Sequence, residues 1–395
     1  MCGRLVLGAV TVLAVLMSSL WLDHLRETTL PPPTGRFAVS RASFVWKDEA
    51  HTDVLAPPVG TKRELTAWIW YPTVAKRSAT NAAQYMPASW REALEQHSSV
   101  LFSRFLTRDL SRVRSYSVSD GELPSQPRTF PIVLMRPGAA ALTLQYCVLA
   151  EDLASHGYVV VGFDAPYRSY VTVFPDGRVI PRAPQNDVEL VRGSRKYALA
   201  ERLLAAWTAD VEFALDRLER LNASDASRFH SRLDMQKIGM VGHSLGGATA
   251  AQFCHDDARC RAGIDIDGLL LGSVVKEGLD RPFMFLLSDQ THETDSETAN
   301  VMAEFKSVAA RLPNAKSLLM VRGANHFSFS DDGALLKIPM LRSVLRFVGI
   351  IGIDGQRQLA ITSGLVHSFF DVYLKGESGD AALSLSALPE VARLN

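Results

Sequence analysis

Gly242-His243-Ser244-Leu245-Gly246-Gly247 follows an apolar run, Lys237-Ile-Gly-Met-Val241, and precedes small helix formers, Ala248-Thr-Ala-Ala251. A serine at the tip of a strand-to-helix turn is the setting of a nucleophile elbow. Its strained backbone needs neighbours without side chains two residues before and two after, and Gly242 and Gly246 stand there. The helix that opens at the turn adds free N–H groups and a partial positive charge beside the attacking oxygen. An activated serine also needs a base, and an anion to hold that base. His326, in Gly323-Ala-Asn-His-Phe-Ser-Phe329, follows the apolar run ending at Val321, where a loop after a late strand would present it. His24, His51, His97, His156, His230, His243, His255, His292 and His367 have no such position. For the acid, Asp267 ends the strand after the elbow helix and Asp289 ends the next one, while Asp265 shares a face with Asp267 but lies deeper. The residues alone leave the three open. The oxyanion hole falls to the N–H of Leu245 and to the turn Arg136-Pro-Gly-Ala-Ala140, where Pro137 has no N–H and Ala139 is the expected donor.

The elements that must carry these groups read as a doubly wound α/β sheet. Glu64-Leu-Thr-Ala-Trp-Ile-Trp-Tyr71 alternates as a half-buried early strand. Leu94, Leu101, Phe102, Phe105, Leu106, Leu110 and Val113 follow roughly helical spacing, read as packing on the sheet. Pro131-Ile-Val-Leu-Met135, a helix to His156, a stop at Gly157 and Tyr158-Val-Val-Val-Gly-Phe163 form a strand-helix-strand unit. Residues 171–180 predict a hairpin around Asp176-Gly177. Leu204, Trp207, Val211, Leu215 and Leu218 mark the helix before the elbow strand, and three buried strands follow at residues 262–266, 283–287 and 317–321.

Lysine plus arginine balance aspartate plus glutamate at 42 each, so no net field draws the chain to nucleic acid. A 395-residue chain with 47% hydrophobic residues supports one large catalytic domain, residues 37–395. Residues 1–36 hold an uncharged apolar stretch, residues 5–22, and the linker Thr28-Thr-Leu-Pro-Pro-Pro-Thr-Gly35. As a helix, the stretch measures about 27 Å, against a hydrocarbon core of about 30 Å. Ser18-Ser-Leu-Trp-Leu22 offers no small-x-small cleavage site, so the expectation is an uncleaved anchor rather than a signal peptide, with the catalytic domain outside the cytoplasm. Cys254 and Cys260 could close a small disulfide loop or remain two thiols. No histidine or cysteine cluster has metal-ligand spacing, so neither metal nor cofactor is expected. Oligomeric state is not fixed by any feature of the sequence.

The chain resembles the platelet-activating-factor acetylhydrolase family, of the plasma and isoform II type, with its bacterial relatives in the α/β-hydrolase superfamily. The likeness spans roughly residues 60–375 and rests on Pro137-Gly138, on Ala150-Glu-Asp-Leu-Ala-Ser-His-Gly-Tyr-Val-Val161 and on Thr172-Val-Phe-Pro-Asp-Gly-Arg-Val179. It rests further on Gly242-His-Ser-Leu-Gly-Gly-Ala-Thr249 with Ala262-Gly-Ile-Asp-Ile-Asp-Gly268, and on Phe369-Phe-Asp with Tyr373-Leu-Lys-Gly376. The resemblance implies a Ser244, Asp267 and His326 triad and short or oxidised acyl esters, including phospholipids, as substrates. Two departures stand out: Pro137-Gly-Ala-Ala140 replaces a more glycine-rich turn, and Asp164-Ala-Pro-Tyr167 has alanine where relatives often place histidine. A broad short-chain or polyester esterase, an acyltransferase and a non-catalytic binding domain are the alternative readings.

Overall fold

The computed structural model describes residues 2–97, 108–139, 141–291, 296–313, 318–335, 352–378 and 388–394, with the side chains of residues 2–6, 9 and 296–298 left out. Its frame is a ten-stranded sheet of β1 (Ala38–Thr52), β2 (Lys62–Thr73), β3 (Val118–Ser119), β4 (Phe130–Arg136), β5 (Val159–Asp164), β6 (Leu233–His243), β7 (Cys260–Ile266), β8 (Phe283–Leu287), β9 (Leu318–Val321) and β10 (Val391–Arg393), in the order β10-β9-β8-β7-β6-β4-β5-β2-β1-β3. β5, β4, β6, β7, β8 and β9 are parallel neighbours, whereas β2 runs antiparallel to both β1 and β5. This is the α/β-hydrolase arrangement with antiparallel N-terminal strands.

The central strands are apolar on both faces because helices cover both. Alternate residues Val133, Met135, Val160, Val241, Ile264 and Leu286 pack beneath α3 (Cys147–Ser155) and α7 (Gly355–Lys375), near α2 (Ala88–His97), in the numbering that begins with α1 (Cys2–His24). The intervening Ile132, Leu134, Val161, Met240 and Phe285 face α4 (Ser194–Ala223), α5 (Leu245–Asp256) and α6 (Ser296–Ala309), which contribute Val211, Leu215, Phe253 and Phe305. Each fully buried Val, Leu, Ile or Phe contributes about 1.5–3 kcal/mol, so the core holds the strand ends as a rigid platform. Gly157, at φ +93, ends α3 as expected, and its N–H bonds Ala154 O at 3.0 Å. The hairpin is also as expected, with residues 171–173 paired antiparallel to 179–181.

Several elements differ from the sequence reading. β1, fifteen residues long, and the 21-residue α7 are additions to it. Leu101, Phe102, Phe105, Leu106 and His292 lie outside the described residues. Among the described residues, no helix is long and apolar enough to cross a membrane, so the span expected at residues 5–22 is not shown. The proline-rich linker lies against the body: Thr28-Thr29 pairs in parallel with Val113-Arg114, and Leu30 is buried. Cys254 and Cys260 are joined by a disulfide with a Cα–Cα distance of 5.0 Å, which resolves the two readings of that pair.

Candidate active site

The site is assembled at the C-terminal ends of the parallel strands, where open α/β sheets place their ligands. β6 pairs with β4 up to Gly242 and with β7 up to His243, and the chain then turns at Ser244 with φ +57 and ψ −126. Such a backbone persists in a non-glycine residue only where its surroundings over-determine it. Here the glycines do so: a Cβ on Gly242 would stand 1.9 Å from Gly246 O, and one on Gly246 would stand 2.3 Å from Arg136 O and 2.6 Å from Pro137 O. These neighbours are backbone atoms of the elbow and of the loop after β4. Gly246→Ala should therefore displace the serine or that loop, and a shift near 1 Å costs about 100-fold in rate. Steady-state kinetics with a melting curve checks this: a fall in kcat together with a lower Tm is expected.

The late loop and the strand after the elbow helix converge on Ser244. His326 Nε2 is 3.1 Å from Ser244 Oγ, and His326 Nδ1 is 2.8 Å from Asp267 Oδ2. The other oxygen of Asp267 accepts from Ser288 N at 2.7 Å, which fixes the carboxylate plane. Burial pushes the Asp267 carboxyl up, but the hydrogen bond and charge of His326, with the Ser288 N–H, outweigh it and hold the group below its ordinary range. Asp289 is committed elsewhere, accepting from Gly323 N at 2.7 Å and from Thr291 N and Oγ1 at 3.1 and 2.6 Å. Asp265 is fully buried and fills the space that side chains on Gly247 and Gly268 would need, and burial followed by the Asp267 charge raises its pKa well above the ordinary range. Of the three candidate carboxylates, the geometry joins Asp267 to His326.

Leu245 is the first residue of α5, among the N–H groups that lack an intrahelical acceptor. The loop carrying Ala139 lies directly opposite, since a Cβ on Gly138 would sit 3.1 Å from Ser244 Cβ. Ala139 O accepts from Arg182 Nη1 at 3.0 Å, and Arg182 Nη2 pairs with Asp187 at 2.8 Å, so the segment just after the hairpin braces this loop. At the loop's base, Arg136 is buried between Phe163 and Trp207, its guanidinium carbon 4.6 and 4.1 Å from the ring centres, and burial lowers its pKa to about 10. Neither arginine carries a local sequence signal, because each acts on a segment far away in the chain.

His243 lies closer to the site than its place inside the elbow suggested. Its ring centre is 4.6 Å from that of His326, and its Nδ1 is 2.7 Å from the Tyr146 hydroxyl. Burial, and then the charge of His326, pull its pKa down to about 3, so it stays neutral and supports the neighbouring ring without competing as a base. The rim is apolar: Phe327, 72% exposed, stands edge-on to His326 at 5.6 Å, and Leu269 is 48% exposed two residues after Asp267. A separate cavity of about 450 Å³, lined by His255, Glu277, Asp280 and Arg311, shares no residue with this site.

The family model for platelet-activating factor acetylhydrolase, isoform II, matches residues 211–375, a region that holds Ser244, Asp267 and His326. A probable 1-alkyl-2-acetylglycerophosphocholine esterase of Arthroderma benhamiae is 29% identical over 275 residues, 67% of this chain and 66% of that protein. The platelet-activating factor acetylhydrolase of Bos taurus is 24% identical over 221 residues, 51% of this chain and 48% of that protein. The chain thus aligns with about half to two thirds of the length of these curated relatives. A solved ferulic acid esterase from Streptomyces cinnamoneus superposes with a TM-score of 0.74 at 25% identity, covering 93% of this chain and all of the other. In sequence the chain is similar to the isoform II platelet-activating factor acetylhydrolases, and in fold it is similar to a solved esterase, in keeping with the α/β-hydrolase arrangement of its sheet.

Proposed function

We propose that the protein is a serine carboxylic ester hydrolase that works through an acyl-enzyme. The observation that carries this reading is the continuous chain from Ser244 Oγ through His326 to Asp267, with links of 3.1 and 2.8 Å. Ser244 Oγ attacks the ester carbonyl as His326 Nε2 takes its proton, and Asp267 steadies the resulting imidazolium. The N–H groups of Leu245 and Ala139 receive the negative oxygen of the tetrahedral intermediate. The intermediate expels the alcohol with the proton held by His326, and water, deprotonated by the same histidine, releases the acid.

For substrate, the proposal is an ester of a short or oxidised acyl group, phospholipid esters included. The names of the fungal and bovine relatives support this class, and exposed Phe327 and Leu269 supply an apolar rim for an amphiphile. The ferulic acid esterase likeness supports the second reading, a broad esterase for small esters. A series of nitrophenyl esters of rising chain length separates both from a long-chain lipase: kcat/KM should fall with acyl length and should be unchanged by chelator. A rise toward long acyl chains would overturn the substrate class.

We also propose that α1 tethers the protein to a membrane with the catalytic domain outside the cytoplasm. Its Leu7, Val10, Val12, Leu13, Val15, Trp21 and Leu22 are exposed, and the Cys254–Cys260 disulfide suits an oxidising compartment. After a carbonate wash at high pH, the full-length chain should stay in the membrane pellet, and a chain begun at Pro31 should be soluble and active. Soluble full-length protein, or a mature form beginning after Leu22, would refute the tether.

A further inference from the structure

Two histidines and a carboxylate with no part in the triad meet where the proline-rich linker crosses α3 and α7. Asp152, in the last turn of α3, and His156, the residue that caps it, are four apart and share a helix face, while His367 faces them from α7. One ligand atom from each of the three lies within 4.8 Å of the other two. His367 Nδ1 is 2.7 Å from Asp152 Oδ2, and the two imidazole rings are stacked at 3.9 Å. The linker supplies a fourth oxygen: Thr34 Oγ1 donates to Asp152 Oδ1 at 2.7 Å and stands 2.9 Å from His156 Nε2.

We propose that Asp152, His156 and His367, with Thr34 as the linker's donor, form a binding site for a divalent first-row cation of the zinc type, which clamps the N-terminal linker to the catalytic domain. Two imidazoles and one carboxylate are the donors zinc accepts, and a tetrahedral site with bonds of about 2.0–2.1 Å places its ligands about 3.3 Å apart. The ligand atoms already lie within 4.8 Å of one another, and ligation requires the two stacked rings to turn so that their in-plane nitrogens, with the Asp152 carboxylate, converge on one ion. Asp371 Oδ2 lies 3.9 Å from His156 Nδ1, and the Asp371 carboxylate is held by Lys375 and Tyr158. A cleft of about 60 Å³ lined by Pro31, Pro32, Thr34, Val148, Asp152 and His367 adjoins the cluster and leaves room for a water as a further ligand. The three residues lie apart from Ser244, His326 and Asp267, so the metal acts on the attachment of the linker and not on turnover.

Full-length protein in detergent, stripped with chelator and dialysed against zinc chloride, should retain one zinc per chain by atomic absorption, and its Tm should rise by about 5 °C at saturating zinc. His367→Ala and His156→Asn should each lose the bound zinc and the Tm response, while fluorophosphonate labelling of Ser244 in each variant verifies that the catalytic domain is folded. Absence of zinc from the folded wild-type chain, or equal zinc in the wild type and the His367→Ala variant, would overturn the site.

Discussion

Ser244→Ala should lower kcat for a short-chain nitrophenyl ester by about a millionfold, to the level that oxyanion donors and binding alone sustain. The size of the effect follows from the geometry. Ser244 Oγ is the atom 3.1 Å from His326 Nε2, and alanine leaves the base with nothing to deprotonate but water. The fold should survive, because the strain at φ +57 is imposed by the packing of Gly242 and Gly246 and not by the hydroxyl. A Tm within a few degrees of wild type, with activity lost, is the expected pair of observations. Substantial residual activity in a folded Ser244→Ala protein would remove this serine from the mechanism.

Asp267→Asn should lower kcat by about ten-thousandfold with little change in KM, since an amide stabilises the wrong tautomer of His326 and cannot balance an imidazolium. The carboxylate holds the base through the 2.8 Å bond to Nδ1 and is held in turn by Ser288 N. Because its pKa lies below the ordinary carboxylate range, Asp267 remains ionised through mildly acidic pH, and the acid limb of the rate profile should not report its titration. Asp289→Asn is the control: it weakens the accepting bonds to Gly323 and Thr291 and should alter stability more than rate. A large loss of kcat in Asp289→Asn with Asp267→Asn near wild type would reverse the assignment.

The elbow was legible in the sequence because its constraint is local. A strained serine forces glycine two residues away on each side, and the structure shows the backbone contacts that enforce this. His326 was legible by position, as a loop histidine after a late apolar run. The acid was not separable from the residues alone: Asp267 and Asp289 end neighbouring strands, and it is the three-dimensional packing that brings Asp267 Oδ2 to 2.8 Å from His326 Nδ1 and turns Asp289 to Gly323 N. β1 escaped notice because its burial breaks simple alternation. Val39, Ser40, Arg41 and Ala42 are buried in succession, with Arg41 bonded to Tyr85 O. Arg182 on Ala139, Tyr146 beside His243, and His367 against Asp152 at a separation of 215 residues are products of topology, which a linear pattern does not encode.

The most direct test of a serine acyl-enzyme mechanism is to treat the folded full-length protein with a fluorophosphonate, digest it and map the adduct by tandem mass spectrometry. One stoichiometric adduct is expected on the peptide carrying Gly242-His243-Ser244-Leu245-Gly246, on the serine oxygen, appearing in step with loss of esterase activity. Complete inactivation with the adduct on another residue, or full esterase activity with Ser244 fully modified, would contradict that mechanism.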